Sequence, residues 1–345
     1  MNNFFRITFL FSIFIFLSCE NDDNTNGTQT EGDYQNGTFV LNEGGFNGFS
    51  GVTFISDDLS RVEQNVFSTV NDAEELGLFP QSIFFDLNGL AYIISNGSNL
   101  ITVVDRFTFE KVAEINTDLD VPRYGAVLDG KAYVTNQASF DTGADDFVTV
   151  INLEDFSVET TIPLIKTAEF IFTDGFKLFV QNAAFGVGSE ISVIDPDNNS
   201  VETIIETGDG LQSIHINAST LYAHHATGID RISTSDLEVT STIAFPASLD
   251  AVSQLEIYNG QFYYLNNNQV YSTSIVEDSL SDEPLFSYDA AAPSFIYGFE
   301  VNNDLIYLAD ARDFASDGRV VIFDTDGNQV FETTVGLNPN GFYFN

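Results

Sequence analysis

Cysteine is nearly absent from this chain: Cys19 is the only one in 345 residues. An internal disulfide and a zinc–thiolate centre are thereby excluded, so stability has to come from packing over roughly 310 residues. Positive charge is also scarce. Eleven Lys and Arg stand against 51 Asp and Glu, and once residues 1–18 with Arg6 are removed the balance is ten against 51, a net of −41. Such a field repels phosphate backbones and anionic lipid, so nucleic acid is excluded as a partner. With three histidines (His215, His224, His225), no cysteine nucleophile in the mature body and neither GxSxG nor HExxH, catalysis has little support, and neither metal nor cofactor is expected. The apolar run from Ile7 to Leu17 is too short to cross a bilayer, which takes about 20 residues.

What is there begins with that run. Short polar Met1–Asn3, one positive charge at Arg6 and the apolar stretch read as an export signal over residues 1–18. It ends in Leu17-Ser18-Cys19, which resembles the lipobox of bacterial lipoproteins, with Cys19 as the acylated first residue. The alternative is a plain secretory signal with a stray thiol. Residues 19–36 contain almost nothing apolar and read as a flexible acidic tether. Acyl chains contribute about 0.8 kcal/mol per buried CH₂, so membrane attachment is expected through the lipid alone.

Residues 37–345 carry a repeat. Seven short segments, FVLN, YIIS, YVTN, FVQN, YAHH, YYLN and YLAD, open on Phe39, Tyr92, Tyr133, Phe179, Tyr222, Tyr263 and Tyr307 at spacings of 41 to 53 residues. Each leads to an apolar strand such as ITVVD or VTVIN, then to a turn and a more polar strand such as KVAEIN or SVETTI. Copies two to seven are each preceded by a further strand, from QSIFFD to IYGFEV. Four short strands per repeat at this period is the signature of a β-propeller. The chain opens on a second strand at Phe39 and ends in NPNGFYFN, which matches an innermost strand. The expectation is an all-β, seven-bladed propeller, four antiparallel strands per blade, closed by the C-terminal strand pairing into the first blade and removing two exposed edges. Asp105, Asn152, Asp195 and Asp324 fit the blade turns, where their side chains bond nearby backbone.

Candidate binding residues fall on one rim of the channel. Three residues past each reference aromatic stands a polar side chain: Asn42, Ser95, Asn136, Asn182, His225, Asn266 and Asp310. These either form a hydrogen-bonding collar for a polar ligand or close their own strands, and the second reading is favoured for any single residue. Beyond the collar, the loops carry Phe46, Phe140, Phe185 and Phe314, with Phe79, Tyr124, Phe295 and Tyr297 in adjoining connections. They are either a surface for a flat ligand or pins for their own loops. Arg123, Lys166 and Arg312 lie in loops of the same face and admit an anionic ligand group. His224 and His225 read as satisfied strand-end imidazoles, and Asp141, Asp145, Asp146, Asp313 and Asp317 as solvated carboxylates in preference to calcium ligands.

At FVLNEGGFNGFSGVTFIS, after the lipobox and tether, the sequence resembles the YncE-like propeller lipoproteins of Bacteroidetes; KAYVTN, LYAHH and VTVINLEDFSVETTIP fit the same style. Glu20, Asp22 and Asp23 likewise resemble the signal that sends such lipoproteins to the outer face of the outer membrane. Some members, the cobalamin-binding BtuG type among them, capture a scarce nutrient and pass it to a TonB-dependent transporter. The resemblance implies a surface lipoprotein that binds a small molecule, a metal chelate or vitamin-like nutrient. It does not imply cobalamin, because that type's binding residues do not map onto this chain. A propeller enzyme of lactonase or quinoprotein type, and a protein-interaction scaffold or adhesin, are the alternatives.

Overall fold

Each reference strand offers apolar side chains to both of its faces, which is what a sheet buried between two neighbours requires. The computed structural model describes residues 32–46, 50–140, 143–250 and 252–345, and in these it forms seven four-stranded antiparallel sheets. The export signal, Cys19, most of the tether and Asp141 lie outside the described residues. The seven reference segments are the second strands of the blades, from Gly37–Asn42 in blade 1 to Leu305–Asp310 in blade 7. Their leading aromatics are at most 7 % exposed, so each fills an interface between blades. One hydrophobic cluster occupies each of the seven interfaces.

The ring closes as the repeat arithmetic requires. The innermost strand of blade 1 is Pro339–Phe344, paired antiparallel to Gly37–Asn42 with Val40 opposite Phe342. The last cluster joins Tyr307, Ala309 and Ile322 of blade 7 to Val40, Ile55 and Phe342 of blade 1. The folded body starts earlier than the composition suggests. Tyr34, read as tether, is buried against Phe39, Phe54 and Phe109, and its hydroxyl donates to Glu63 at 3.0 Å. The Tyr34 amide also donates to the Phe107 carbonyl at 3.0 Å, and Arg61 donates to the Asp33 carbonyl at 2.7 Å.

The turns away from the rim behave as their sequences indicate. Asp105 accepts from the amides of Phe107 and Thr108, Asn152 from Glu154, Asp195 from Asp197, and Asp324 from Asp326 and Asn328. Inner strands approach one another so closely around the channel that side-chain volume is limiting. At Gly125, in the inner strand of blade 3 (Pro122–Leu128), a Cβ would stand 2.3 Å from the ring of Phe84, itself stacked on Tyr92 at 4.7 Å. Gly125→Ala is therefore expected to destabilise the fold by about 1–3 kcal/mol through overpacking. A denaturation midpoint equal to wild type would show that blades 2 and 3 can part at this point.

Candidate functional site

Because second strands run toward the loop rim and inner strands start from it, the ends of the former and the beginnings of the latter meet at one mouth of the channel. The polar residues that end the second strands do not line this mouth. Asn42, Ser95, Asn136, Asn182, His225, Asn266 and Asp310 are each at most 5 % exposed. Asn42 donates to Thr53 Oγ1 at 3.0 Å, Asn136 to Thr149 Oγ1 at 3.0 Å and Asn182 to the Thr167 carbonyl at 2.9 Å; Ser95 donates to the Leu76 carbonyl. His225 Nε2 stands 3.5 Å from Asp230. Asp310 is the most heavily bonded. Burial raises its pKa, but the amides of Phe295 and Arg312, with Arg319 and Ser294, outweigh that and hold it below the usual range. Asn42 and Asn136 thus bond the next strand of their own blade, while Ser95, Asn182 and Asp310 hold adjoining loops.

The rim aromatics are placed differently. Phe46 is 92 % exposed and meets Phe79 edge-on at 5.1 Å; Phe314 packs on Phe295 and Tyr297 at 5.1 and 5.4 Å. Phe140 and Phe185, from blades 3 and 4, wall a common cavity of about 300 Å³. Phe79, Phe185 and Phe314 all have left-handed backbone, with φ of 52°, 53° and 57°. That conformation costs a bulky residue about 1–2 kcal/mol. Phe109 and Phe156, in turns on the opposite face, share it, but their rings pack into the blade clusters. Phe185, at 83 % exposed, gains no such burial.

Between these rings lies a polar floor built from several blades. Arg123 clamps Glu169 with Nη2 at 2.7 Å and Nε at 3.2 Å, and donates to Gln81 Oε1 at 2.6 Å. Gln137 donates to Glu169 as well, Asn96 donates to Gln81 at 2.9 Å, and Tyr124 accepts from Gln81 at 3.0 Å. Burial opposes the charge of both partners; it leaves Glu169 above the usual carboxylate range, while Glu169 more than offsets it for Arg123. The two-point geometry favours the charged form of each partner against that burial. Arg123 is thus neutralised in place, and Lys166 is paired with Glu190, so neither is a free anion clamp. Arg312 donates to the Asp317 carbonyl at 3.3 Å. Across the mouth, Tyr297 donates to Glu43 at 3.0 Å, and burial raises the Glu43 carboxyl.

Below the floor, a cavity of about 470 Å³ is walled by Phe170, Phe172, His215, Glu256 and Glu300, each on or beside an inner strand. The Glu256 and Glu300 carboxyls bond each other; burial lifts Glu300 to about 8 and Glu256 well above its ordinary value, the neighbouring carboxyl adding to the latter. His215 lies 3.9 Å from Glu256 and is pushed down by burial to about 4; His224 is pushed to about 3, first by burial and then by its neighbouring imidazoles. Sequence reading missed this pair, Glu169, Gln81 and Gln137. The available signal was a charged residue at alternating positions of otherwise apolar inner strands, as in SQLEIY and IYGFEV. Among the described residues, no three His, Cys, Asp or Glu converge tightly enough to hold a metal ion.

Comparison with solved structures shows the propeller fold. A quinoprotein alcohol dehydrogenase-like protein from Bacteroides thetaiotaomicron superposes with a TM-score of 0.69 at 13% identity, covering 90% of this chain and 78% of that one. A protein of unknown function from Desulfotomaculum acetoxidans gives 0.64 at 11% identity, covering 90% and 98%. BamB from Moraxella catarrhalis gives 0.52 at 12%, covering 88% and 84%. No curated protein matches the chain. Residues 36–294 match the family described as a domain of unknown function, DUF5074, and the chain belongs to that family.

Proposed function

We propose that this propeller is a cell-surface lipoprotein, fastened to the outer membrane through Cys19, that captures a small molecule on its loop rim for a TonB-dependent transporter. The observation that carries the reading is the set of rim phenylalanines, Phe185 above all. Its ring is held in solvent on a backbone conformation that costs energy, with no burial to offset the cost. The polar floor around Arg123 and Glu169 would orient a ligand held between such rings. The resemblance to YncE-like lipoproteins and the lipobox support the anchoring and the transporter.

The test is to purify the full-length chain from solubilised membranes of its source and identify retained small molecules by mass spectrometry. A stoichiometric ligand is expected, reduced about tenfold or more in a Phe140→Ala/Phe185→Ala variant whose melting temperature is unchanged. Wild type free of ligand, together with no transporter in pull-downs at low and at high salt, would end the proposal. A second reading, an enzyme using the channel, is favoured by the paired carboxyls of Glu256 and Glu300, one of which holds a proton near neutral pH. It also agrees with the quinoprotein-like name of the Bacteroides neighbour. Turnover of lactones or alcohols that Glu300→Gln abolishes would separate it from simple capture.

A further inference from the structure

The cavity between blades 3 and 4 has a chemical asymmetry that its aromatic walls do not explain. Gln137 and Asp146 line it, and both side chains are at least 97 % buried. Gln137 directs its amide N–H to Glu169, and Asp146 accepts the Ala168 amide on Oδ2 at 2.8 Å. That leaves Gln137 Oε1 and Asp146 Oδ1 buried with no hydrogen-bond partner. Two unpaired acceptors beside one small cavity are costly unless a donor reaches them. Beside Ser139 and Thr167 the lining is apolar, and its large side chains, Phe140, Phe185 and Val187, are 67, 83 and 75 % exposed. Burial first, and then Asp145 and Glu169, raise the Asp146 carboxyl to about 6, which leaves it largely ionised at neutral pH. The protein as a whole carries a field that draws cations.

We infer that this cavity is a subsite for an organic cation, a primary ammonium group on an apolar or aromatic body, which draws the Asp146 and Gln137 side chains round so that Asp146 Oδ1 and Gln137 Oε1 accept its N–H groups while its body lies between Phe140 and Phe185. The inference rests on the reading of the rim as a ligand-binding face and specifies what that face takes. Charge-assisted hydrogen bonds to a desolvated carboxylate supply the head-group selectivity. The phenylalanine rings supply contact area and, near the ammonium, a negative ring face.

The experiment titrates the detergent-solubilised full-length chain with 2-phenylethylammonium, 2-phenylethanol and 3-phenylpropanoate, which share a body and differ in the head group. Binding is read by saturation-transfer NMR and calorimetry. The ammonium probe is expected to bind more tightly than the other two by about tenfold or more, and Asp146→Asn to remove that preference. Asparagine retains an acceptor for the Ala168 amide, and the melting temperature reports whether the fold is intact. Equal binding of alcohol and ammonium, or a preference that survives Asp146→Asn, overturns the cation inference while leaving the rim reading in place if Phe185→Ala still weakens all three. No binding of any probe at millimolar concentration overturns the inference, and an unchanged ligand complement in the Phe140→Ala/Phe185→Ala variant separately overturns the rim reading.

Discussion

A chain ending at Leu337 is expected to lose cooperative folding altogether. The eight residues removed supply the inner strand of blade 1, without which Gly37–Asn42 has an open edge toward the channel. They also remove Phe342, 3 % exposed and in contact with Tyr307 at 5.3 Å, from the cluster that joins the last blade to the first. Truncating one buried phenylalanine to alanine costs about 3–5 kcal/mol, and a whole domain is stable by only about 5–15 kcal/mol. Loss of the strand pairing comes on top. Phe342→Ala should therefore lower stability by about 3–5 kcal/mol with folding retained, and the truncation should give aggregated or partly folded protein, read by circular dichroism and size-exclusion chromatography. A truncated chain that melts where the full chain does would mean that the ring is sealed elsewhere.

The second large effect is a fall in stability between about pH 6.5 and 8 that depends on Glu300. Its carboxyl titrates near 4.5 when unfolded and at about 8 in the channel, because burial disfavours the charged form. Between those values the unfolded state has released a proton that the folded state keeps, so rising pH favours unfolding by up to about 1.4 kcal/mol per unit. Below pH 6.5 the slope is masked by the opposite sign of His215 and His224. These are held neutral down to about 4 and 3 when folded, and they take up protons on unfolding. Over the 6.5 to 8 window Glu300 contributes about 2 kcal/mol, and Glu256, raised by the same burial, adds a fall of the same sign. Channel water screens the group, so this is an upper figure. Glu300→Gln removes one of the two titrating protons of the pair and should make the curve shallower in that window. Urea denaturation at pH 6.5, 7.2 and 8 measures both proteins; parallel curves would show that the carboxyl pair does not hold its proton through neutrality.

The architecture was legible in the sequence because the blade interfaces repeat. Phe39, Tyr92, Tyr133 and their counterparts recur at one structural position, and the leftover NPNGFYFN had only one place to pair. The site was legible only in part. Phe140 and Phe185 do share a cavity, and Arg123 and Tyr124 do lie at the mouth. The strand-end polar residues were equally periodic, and their periodicity follows from closing each strand, which every blade needs. Glu169, Gln137, Glu256 and Glu300 break the repeat, and a reading built on recurrence passes over residues that occur once. Tyr34 was missed for the opposite reason: composition averaged over the tether hid one ring with a pocket to fill.

Closure by the final strand also fixes a direction. The second strand of blade 1 begins at Gly37 on the side of the ring away from the aromatic loops, and the C-terminus is pinned there too. Asn345 donates its backbone N–H to the Gly37 carbonyl at 2.9 Å and its side-chain amide to the Arg106 carbonyl at 2.8 Å. Both ends of the described body therefore lie on the face opposite the phenylalanine-bearing loops, so a label or immobilising group joined at either end leaves those loops uncovered.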